Sequence, residues 1–293
     1  MTMPSLLARV DRASLAIDPF PHIVLRDALP EDLYARLAAE YPATDVIAES
    51  SHWGSNTRYS LTATKALDNP AISPLWRAFV HAHTSQQFLD QLVGIFADQI
   101  RALYPDFERA YAPLDRLRRG IRNRDSFDDA DVLLDAQISI NTPVQRRASS
   151  VRGLHLDRPN KLFVGLFYMR HSADTSQGGD LELGRYRDGP AHFQEAELDA
   201  RHVEVTKTVR YDRNVLVLFP NSIDALHGVT ARSVTEHPRY LFNLVAEVRA
   251  PLFDLSPYQA RHGRLAALSG GLRGFMSASS RRIRAVAGSA ARP

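Results

Sequence analysis

The stretch Val132-Leu-Leu-Asp-Ala-Gln-Ile-Ser-Ile-Asn141 decides the fold that the sequence predicts. Apart from two neighbouring leucines at its start, polar and apolar residues alternate along it, as the side chains of a β-strand alternate between two faces. The polar face would carry four side chains: Asp135, Gln137, Ser139 and Asn141. A polar face directed into the protein indicates a lined cavity, so Gln137 and Asn141 are candidates to hydrogen-bond a bound molecule.

Further short runs rich in β-branched and aromatic residues follow, and turn formers such as Gln177-Gly178-Gly179 separate them. These runs are 161–169, 180–186, 202–209, 214–219 and 239–248. Before them, His22–Arg26 has the pattern of a strand, Pro30 opens an amphipathic helix, and a second helical stretch begins near Ser73-Pro74. The pattern predicts a mainly β fold with flanking α-helices, built as a sandwich or barrel.

Composition limits the classes of protein that the chain can represent. Its 293 residues contain no cysteine, which excludes disulfide bonds, thiolate metal ligands and cysteine nucleophiles. A metal site would therefore use histidine and carboxylate ligands. No apolar run approaches the ~20 residues of a membrane helix, and charge appears too early for a secretory segment. We expect a cytoplasmic protein without a membrane span.

The pattern also divides the chain into three expected domains or segments. Residues 1–130 form an N-terminal elaboration of helices and strand that packs on the core, and residues 131–250 form the β core. Residues 251–293 form a basic tail, loosely helical or disordered, in which nothing acidic follows Asp254. The tail could bind nucleic acid or anionic lipid, lie on a partner, or only solubilise the chain. Nucleic acid is not the expected partner, and the oligomeric state is left open.

Three side chains form the expected metal site. In His155-Leu-Asp157, an imidazole and a carboxylate stand two residues apart on an extended segment, so both project to the same side. His227 follows an apolar strand, in a loop, and supplies the third ligand. Two histidines and one carboxylate leave positions of an octahedral Fe(II) open, which is the arrangement of oxygenases. A 2-oxo acid can take two of these positions, and dioxygen can take the last.

Arg239 is the expected partner of a second carboxylate on that 2-oxo acid. A carboxylate that is buried away from the metal needs a cationic and preferably bidentate partner. Arg239 opens the run 239–243, in which alternation places Arg239, Leu241 and Asn243 on one side. The opposite face, with Tyr240 and Phe242, would pack into the core.

The series His155-x-Asp157, Gly178-Gly-Asp-Leu-Glu182, His227 and Arg239 resembles the Fe(II)/2-oxoglutarate-dependent dioxygenases, particularly their prolyl-4-hydroxylase-like branch. The resemblance spans residues 130–250, with a weaker likeness at the N-terminus, and implies a double-stranded β-helix, or jelly-roll, core. It implies that 2-oxoglutarate is the co-substrate, released as succinate and CO2. A carboxylate at position 157 favours hydroxylation of a C–H bond, or a related hydrogen abstraction, over halogenation.

The same resemblance implies a role for each site residue. His155, Asp157 and His227 match the iron ligands, and Arg239 matches the clamp for the distal carboxylate of 2-oxoglutarate. The hydroxyl of Tyr168 matches an aromatic hydroxyl beside that carboxylate, or is a bonded core hydroxyl. Three further co-substrate candidates are less specific: Asn243 stands where the family often has a hydroxyl residue, and Gln137 and Asn141 come only from strand alternation.

Other interpretations of these residues stay open. A cupin-like metal-binding or isomerising protein shares the jelly roll, although cupin sites favour a His-x-His pair. A scaffold acting through its arginine tail, with a vestigial metal site, is a third class. For the enzyme, we expect a small-molecule substrate, with a protein side chain of the prolyl type as the alternative. Arg158 and Lys161 could contact an anionic substrate near the iron, but we interpret them as solvent-exposed rim charges. Trp53–Tyr59 is interpreted as a binding loop or a surface turn.

Overall fold

The computed structural model describes residues 3–259, so most of the predicted basic tail lies outside the described residues. The strands are β1 Leu15–Ala16, β2 His22–Arg26, β3 Arg58–Leu61, β4 Arg119–Ile121, β5 Val132–Asn141, β6 Lys161–Met169, β7 Leu181–Tyr186, β8 Val203–Val209, β9 Arg213–Pro220, β10 His227–Val229 and β11 Arg239–Glu247. The helices are α1 Glu31–Ala39, α2 Thr44–Ala48, α3 Ala63–Asp68, α4 Pro74–Ala82, α5 Gln86–Leu103 and α6 Phe107–Ala110.

A large sheet carries the site and has the order β1-β2-β9-β6-β11-β5-β3, with β4 added in parallel to β5. Its other pairings are antiparallel. A second antiparallel sheet has the order β10-β7-β8. The two sheets share one apolar cluster. They form the mainly β, jelly-roll core that was predicted. The predicted flanking helices are also confirmed.

The two faces of the large sheet pack against different partners. Alternate residues of β11, such as Phe242 and Leu244, join a core cluster with helical residues such as Trp76 and Phe79. The opposite face, with Leu241 among others, joins a cluster that includes residues of the small sheet: Leu181, Leu183 and Val209. The alternation predicted for β11 is therefore confirmed, and the site lies on the face that points to the small sheet.

The prediction of one continuous helical stretch from Ser73-Pro74 is wrong, because the stretch forms two helices, α4 and α5. The side-chain oxygen of Ser73 accepts a hydrogen bond from the backbone N–H of Trp76, which caps α4, and Ser85 caps α5 through Phe88 in the same way. Between them, α4 ends at Ala82. A serine that satisfies free N–H groups begins a new helix, and an apolar periodicity continuing across it hides the break.

The helices also bear on the question of membranes. Within residues 3–259, no helix combines the length and the apolar character that crossing a bilayer requires.

Candidate metal centre and its cavity

Backbone hydrogen bonds bring the two site histidines together. The N–H of His155 donates to the carbonyl of His227 at 2.9 Å, and the N–H of His227 donates back to the carbonyl of His155 at 3.1 Å. This reciprocal pair is an antiparallel bridge, so neither backbone can slide past the other without breaking both bonds. The imidazole rings consequently lie with their centroids 4.2 Å apart.

Each imidazole is held in the orientation that a metal ligand needs. Nδ1 of His155 lies 2.8 Å from the carbonyl oxygen of Gly153, and Nδ1 of His227 lies 2.9 Å from that of Ala225. Because a carbonyl only accepts, each Nδ1 carries the proton and donates it. Nε2 of each ring is then left with its lone pair, which is the atom that binds a metal.

Asp157 completes the group. One ligand atom from each of His155, Asp157 and His227 lies within 4.8 Å of the others, and all three residues are buried. Oδ2 of Asp157 is 3.7 Å from Nε2 of His227, while Oδ1 is 3.1 Å from Nζ of Lys161. The interpretation of Lys161 as a solvent-exposed rim charge is wrong, because only 18% of its side chain is exposed. Arg158 is exposed, as expected.

The protonation states of these residues suit a metal. Burial lowers the pKa of His155 to about 2, and His227 adds to this effect. Burial also lowers the pKa of His227. Burial alone would raise the pKa of Asp157, but Lys161 and the two imidazoles outweigh it and hold that pKa below its usual value. At neutral pH the group is therefore two neutral imidazoles and one carboxylate, ready to bind a cation without first losing protons.

Arg239 lies in the same cavity, at the first residue of β11. Its Nε donates to the carbonyl of Gly179 at 2.9 Å, and its guanidinium lies 4.8 Å from the ring centroid of Tyr168 and 4.9 Å from that of Tyr211. These contacts hold the side chain of Arg239 in its orientation. The glycine pair contributes to the site indirectly, as an anchor for this arginine.

The turn that anchors Arg239 requires glycine. Gly178 has a φ of +77°, and a Cβ at this position would lie 1.9 Å from the carbonyl oxygen of Ala231. A non-glycine residue would have to adopt a strained backbone and displace the neighbouring segment. The tight-turn interpretation of Gly178-Gly179 agrees with this geometry.

Buried hydrogen-bond donors that have no partner among the described residues cluster at the guanidinium of Arg239. Three of the buried donors that have no hydrogen-bond partner among the described residues lie here: Nη2 of Arg239, the hydroxyl of Tyr168 and the amide nitrogen of Asn141. They stand on adjacent strands, since β11 pairs with β5 on one side and with β6 on the other. An unmade buried hydrogen bond costs about 1–3 kcal/mol, so a cluster of donors indicates a missing acceptor.

Asn243 faces the same cavity and is oriented by a chain of hydrogen bonds. Asp135 accepts from Arg122 at 3.3 Å and from the amide nitrogen of Gln137 at 2.6 Å. The amide oxygen of Gln137 then accepts from Asn243 at 3.3 Å. The amide oxygen of Asn243 is buried and has no hydrogen-bond partner among residues 3–259, so Asn243 offers an acceptor where Arg239 and Tyr168 offer donors.

The cavity has a volume of about 300 Å³ and brings most of the predicted site residues together. His155, Asp157, Tyr168, His227, Arg239 and Asn243 line it. Gln137 and Asn141 are not among its lining residues, and each contacts one that is: Asn243 and Arg239 respectively.

Several cavity residues were not among the predicted site residues, and the charged ones are Arg58, Arg152 and Lys161. Arg58 belongs to strand β3, so the end of the segment interpreted as a loop is part of the large sheet. Its strand is only four residues long, which is too short for alternation to be recognised. Lys161 reaches Asp157 from the start of β6, and its spacing of four from that aspartate was the available signal.

Comparison with known proteins found no matching family model and no matching curated protein. Solved structures of similar fold include a prolyl-4-hydroxylase from Pseudomonas putida, 15% identical, covering 78% of this chain and 93% of that one with a TM-score of 0.39. A 2OG-Fe(II) oxygenase family oxidoreductase from Burkholderia pseudomallei is 11% identical, covering 78% and 86% with a TM-score of 0.38. A prolyl hydroxylase from Trichoplax adhaerens, solved with a peptide fragment, is 9% identical, covering 78% and 83% with a TM-score of 0.38.

These neighbours belong to the family that the sequence resembles.

Proposed function

We propose that the chain is an Fe(II)- and 2-oxoglutarate-dependent dioxygenase that hydroxylates a C–H bond of a small molecule. The observation that carries the proposal is the presence of two complementary groups of atoms in one cavity. One is the His155, Asp157 and His227 ligand set, and the other is the cluster of unpaired donors around Arg239.

The residues fit both components of such a site. Two neutral imidazoles and a carboxylate suit Fe(II) and leave positions open for other ligands. Arg239 supplies a charged donor, and Tyr168 a neutral one, to the distal carboxylate of 2-oxoglutarate. Burial raises the pKa of the Tyr168 hydroxyl, so it keeps its proton and donates.

When bound, the iron with its co-substrate supplies the oxidising power. One dioxygen and one 2-oxoglutarate are consumed, the substrate C–H bond becomes C–OH, and succinate and CO2 are released. The chain itself binds and orients these molecules and limits the access of water. Lys161 holds Asp157 ionised and fixes one of its oxygens at 3.1 Å, leaving the other toward His227.

A small-molecule substrate is supported by the cavity, whose volume of about 300 Å³ stands at the lower end of the range for small-ligand sites. The cytoplasmic location, the domain boundaries and the role of the tail stay predictions from the sequence.

The proposal is tested by measuring Mn(II) affinity and 2-oxoglutarate decarboxylation for the wild-type protein and for Asp157→Ala. We expect the variant to lose succinate formation and to bind Mn(II) about 100-fold more weakly, because a charged ligand is removed. Asp106→Ala is the matched control, since 78% of the side chain of Asp106 is exposed.

A wild-type protein that binds Mn(II) but neither binds nor decarboxylates 2-oxoglutarate would contradict the proposal and favour the cupin-like alternative. Succinate formation retained in Asp157→Ala would contradict the assignment of the metal ligand.

A further inference from the structure

Arg58 is a cavity residue that the proposed reaction does not use. The backbone register pairs Arg58 with Asn141 from one side, and Arg239 with the same Asn141 from the other. The two arginines therefore stand in one row across three neighbouring strands, on the same face of the sheet. Strands lie about 4.8 Å apart, so the two backbones are separated by roughly 10 Å across the cavity.

The protein uses little of the hydrogen-bonding capacity of the Arg58 guanidinium. Its Nε donates to Oγ of Ser60 at 3.4 Å, and within residues 3–259 no carboxylate lies at ion-pair distance from it. Arg239, by contrast, is anchored at 2.9 Å by the carbonyl of Gly179. A half-buried guanidinium that holds no structural contact of comparable strength is free to bind a ligand.

The charge state of Arg58 also suits a group that binds an anion. Burial and the nearby Arg239 lower its pKa to about 10, and Tyr41, Tyr168 and Asp157 act in the opposite direction. Arg58 stays protonated at neutral pH. Its charge is repelled by Arg239, and an anion between the two arginines and the metal would relieve that repulsion.

The charge balance of the cavity also favours a bound anion. Among the described residues that line the cavity, Arg58, Lys161 and Arg239 face a single carboxylate, that of Asp157, while the cation of Arg152 is paired with Glu197 at 2.7 Å. A doubly positive metal and a doubly negative 2-oxoglutarate cancel one another. The cavity therefore retains an excess of positive charge after both have bound. Lys161 is paired with Asp157, whereas Arg58 has no carboxylate at ion-pair distance among residues 3–259.

Resting on the proposed function, we infer that the substrate is an organic anion whose carboxylate or phosphate is bound by Arg58 while the C–H bond to be hydroxylated lies toward the metal. The planar guanidinium fits either anion through two parallel hydrogen bonds, and the strand β3 positions it on the opposite side of Asn141 from the co-substrate clamp.

The test uses the full-length protein loaded with Mn(II) and saturated with 2-oxoglutarate. The probes are small carboxylic acids and phosphate monoesters, each paired with its neutral primary amide or alcohol, and binding is measured by calorimetry. We expect at least one acid or monoester to bind about tenfold or more tightly than its neutral partner, as one charge-assisted contact provides. The stronger of the two anion types identifies the group.

Three variants connect this preference to Arg58. Arg58→Gln should abolish the preference and leave the 2-oxoglutarate affinity and the melting temperature unchanged. Arg58→Lys should retain part of the preference, because the charge remains. Arg109→Gln is the matched control, since 80% of the side chain of Arg109 is exposed, and it should behave as the wild type.

The inference is overturned if no anion in the panel binds more tightly than its neutral partner, or if Arg58→Gln keeps the preference. It is also overturned if Arg58→Gln weakens 2-oxoglutarate binding as strongly as Arg239→Gln does, because Arg58 would then serve the co-substrate. Failure of the wild-type protein to bind 2-oxoglutarate at all is a distinct result, and it would contradict the proposed function instead.

Discussion

Replacing Tyr168 by phenylalanine should make the ligand-free protein more stable and the co-substrate complex weaker. The hydroxyl of Tyr168 is fully buried and has no hydrogen-bond partner among residues 3–259. A buried polar group in this state costs about 1–3 kcal/mol, and phenylalanine removes the group while preserving the ring. We expect a gain of about 1 kcal/mol without ligand, or about 2 °C in melting temperature.

With 2-oxoglutarate present, the sign should reverse. The same hydroxyl would donate to the distal carboxylate, and a hydrogen bond to a charged group contributes about 1.5–3 kcal/mol. Its loss raises the Kd for 2-oxoglutarate roughly 10- to 100-fold. Calorimetric titration of the Mn(II) protein measures the affinity, and thermal unfolding with and without 2-oxoglutarate measures the stability.

Tyr211→Phe is the matched control, because Tyr211 is equally buried and its ring also lies beside Arg239. Its hydroxyl accepts a hydrogen bond from the backbone N–H of Tyr240 at 2.9 Å. Removing that hydroxyl leaves the N–H unpaired, so this variant should lose stability in the absence of ligand. If Tyr168→Phe lost as much stability as Tyr211→Phe and bound 2-oxoglutarate unchanged, Tyr168 would be an ordinary core residue.

Three other perturbations follow from single contacts. Arg239→Gln removes the cation at the distal carboxylate, and calorimetry should record a Kd for 2-oxoglutarate raised about 100-fold with Mn(II) affinity unchanged; an unchanged Kd would refute the clamp. Gly178→Ala, whose Cβ would meet the carbonyl of Ala231, should cost at least about 2 kcal/mol in urea unfolding and also weaken 2-oxoglutarate binding; wild-type stability would contradict the turn geometry. His83 is buried, with a pKa lowered to about 4 by desolvation. Below pH 6.5 His83 is protonated in the unfolded chain but stays neutral in the folded protein. The free energy of unfolding should therefore fall by about 1.4 kcal/mol per pH unit toward pH 4. Urea unfolding at two pH values should give a smaller loss for His83→Gln, and an identical loss would assign the effect to other groups.

Local periodicity made the strands of this protein predictable. Every predicted run from 132 onward corresponds to a strand whose ends differ by at most one residue. Alternation also assigned Phe242 to the helical side and Leu241 to the inner side of β11. Period-two patterning is a property of neighbours in the chain, and it survives any arrangement of the sheet that buries one face.

The sequence by itself determined the types of group that could hold a metal and the strands that carry them. Only the tertiary structure decided that His155 and His227 exchange backbone hydrogen bonds and that Arg58 stands in register with Arg239. It also decided that the Tyr168 hydroxyl has no hydrogen-bond partner in the described part of the chain. These facts depend on which strands pair and in which register, and that choice is made by the packing of the whole core. A pattern within one segment therefore predicts its faces but not what lies opposite them.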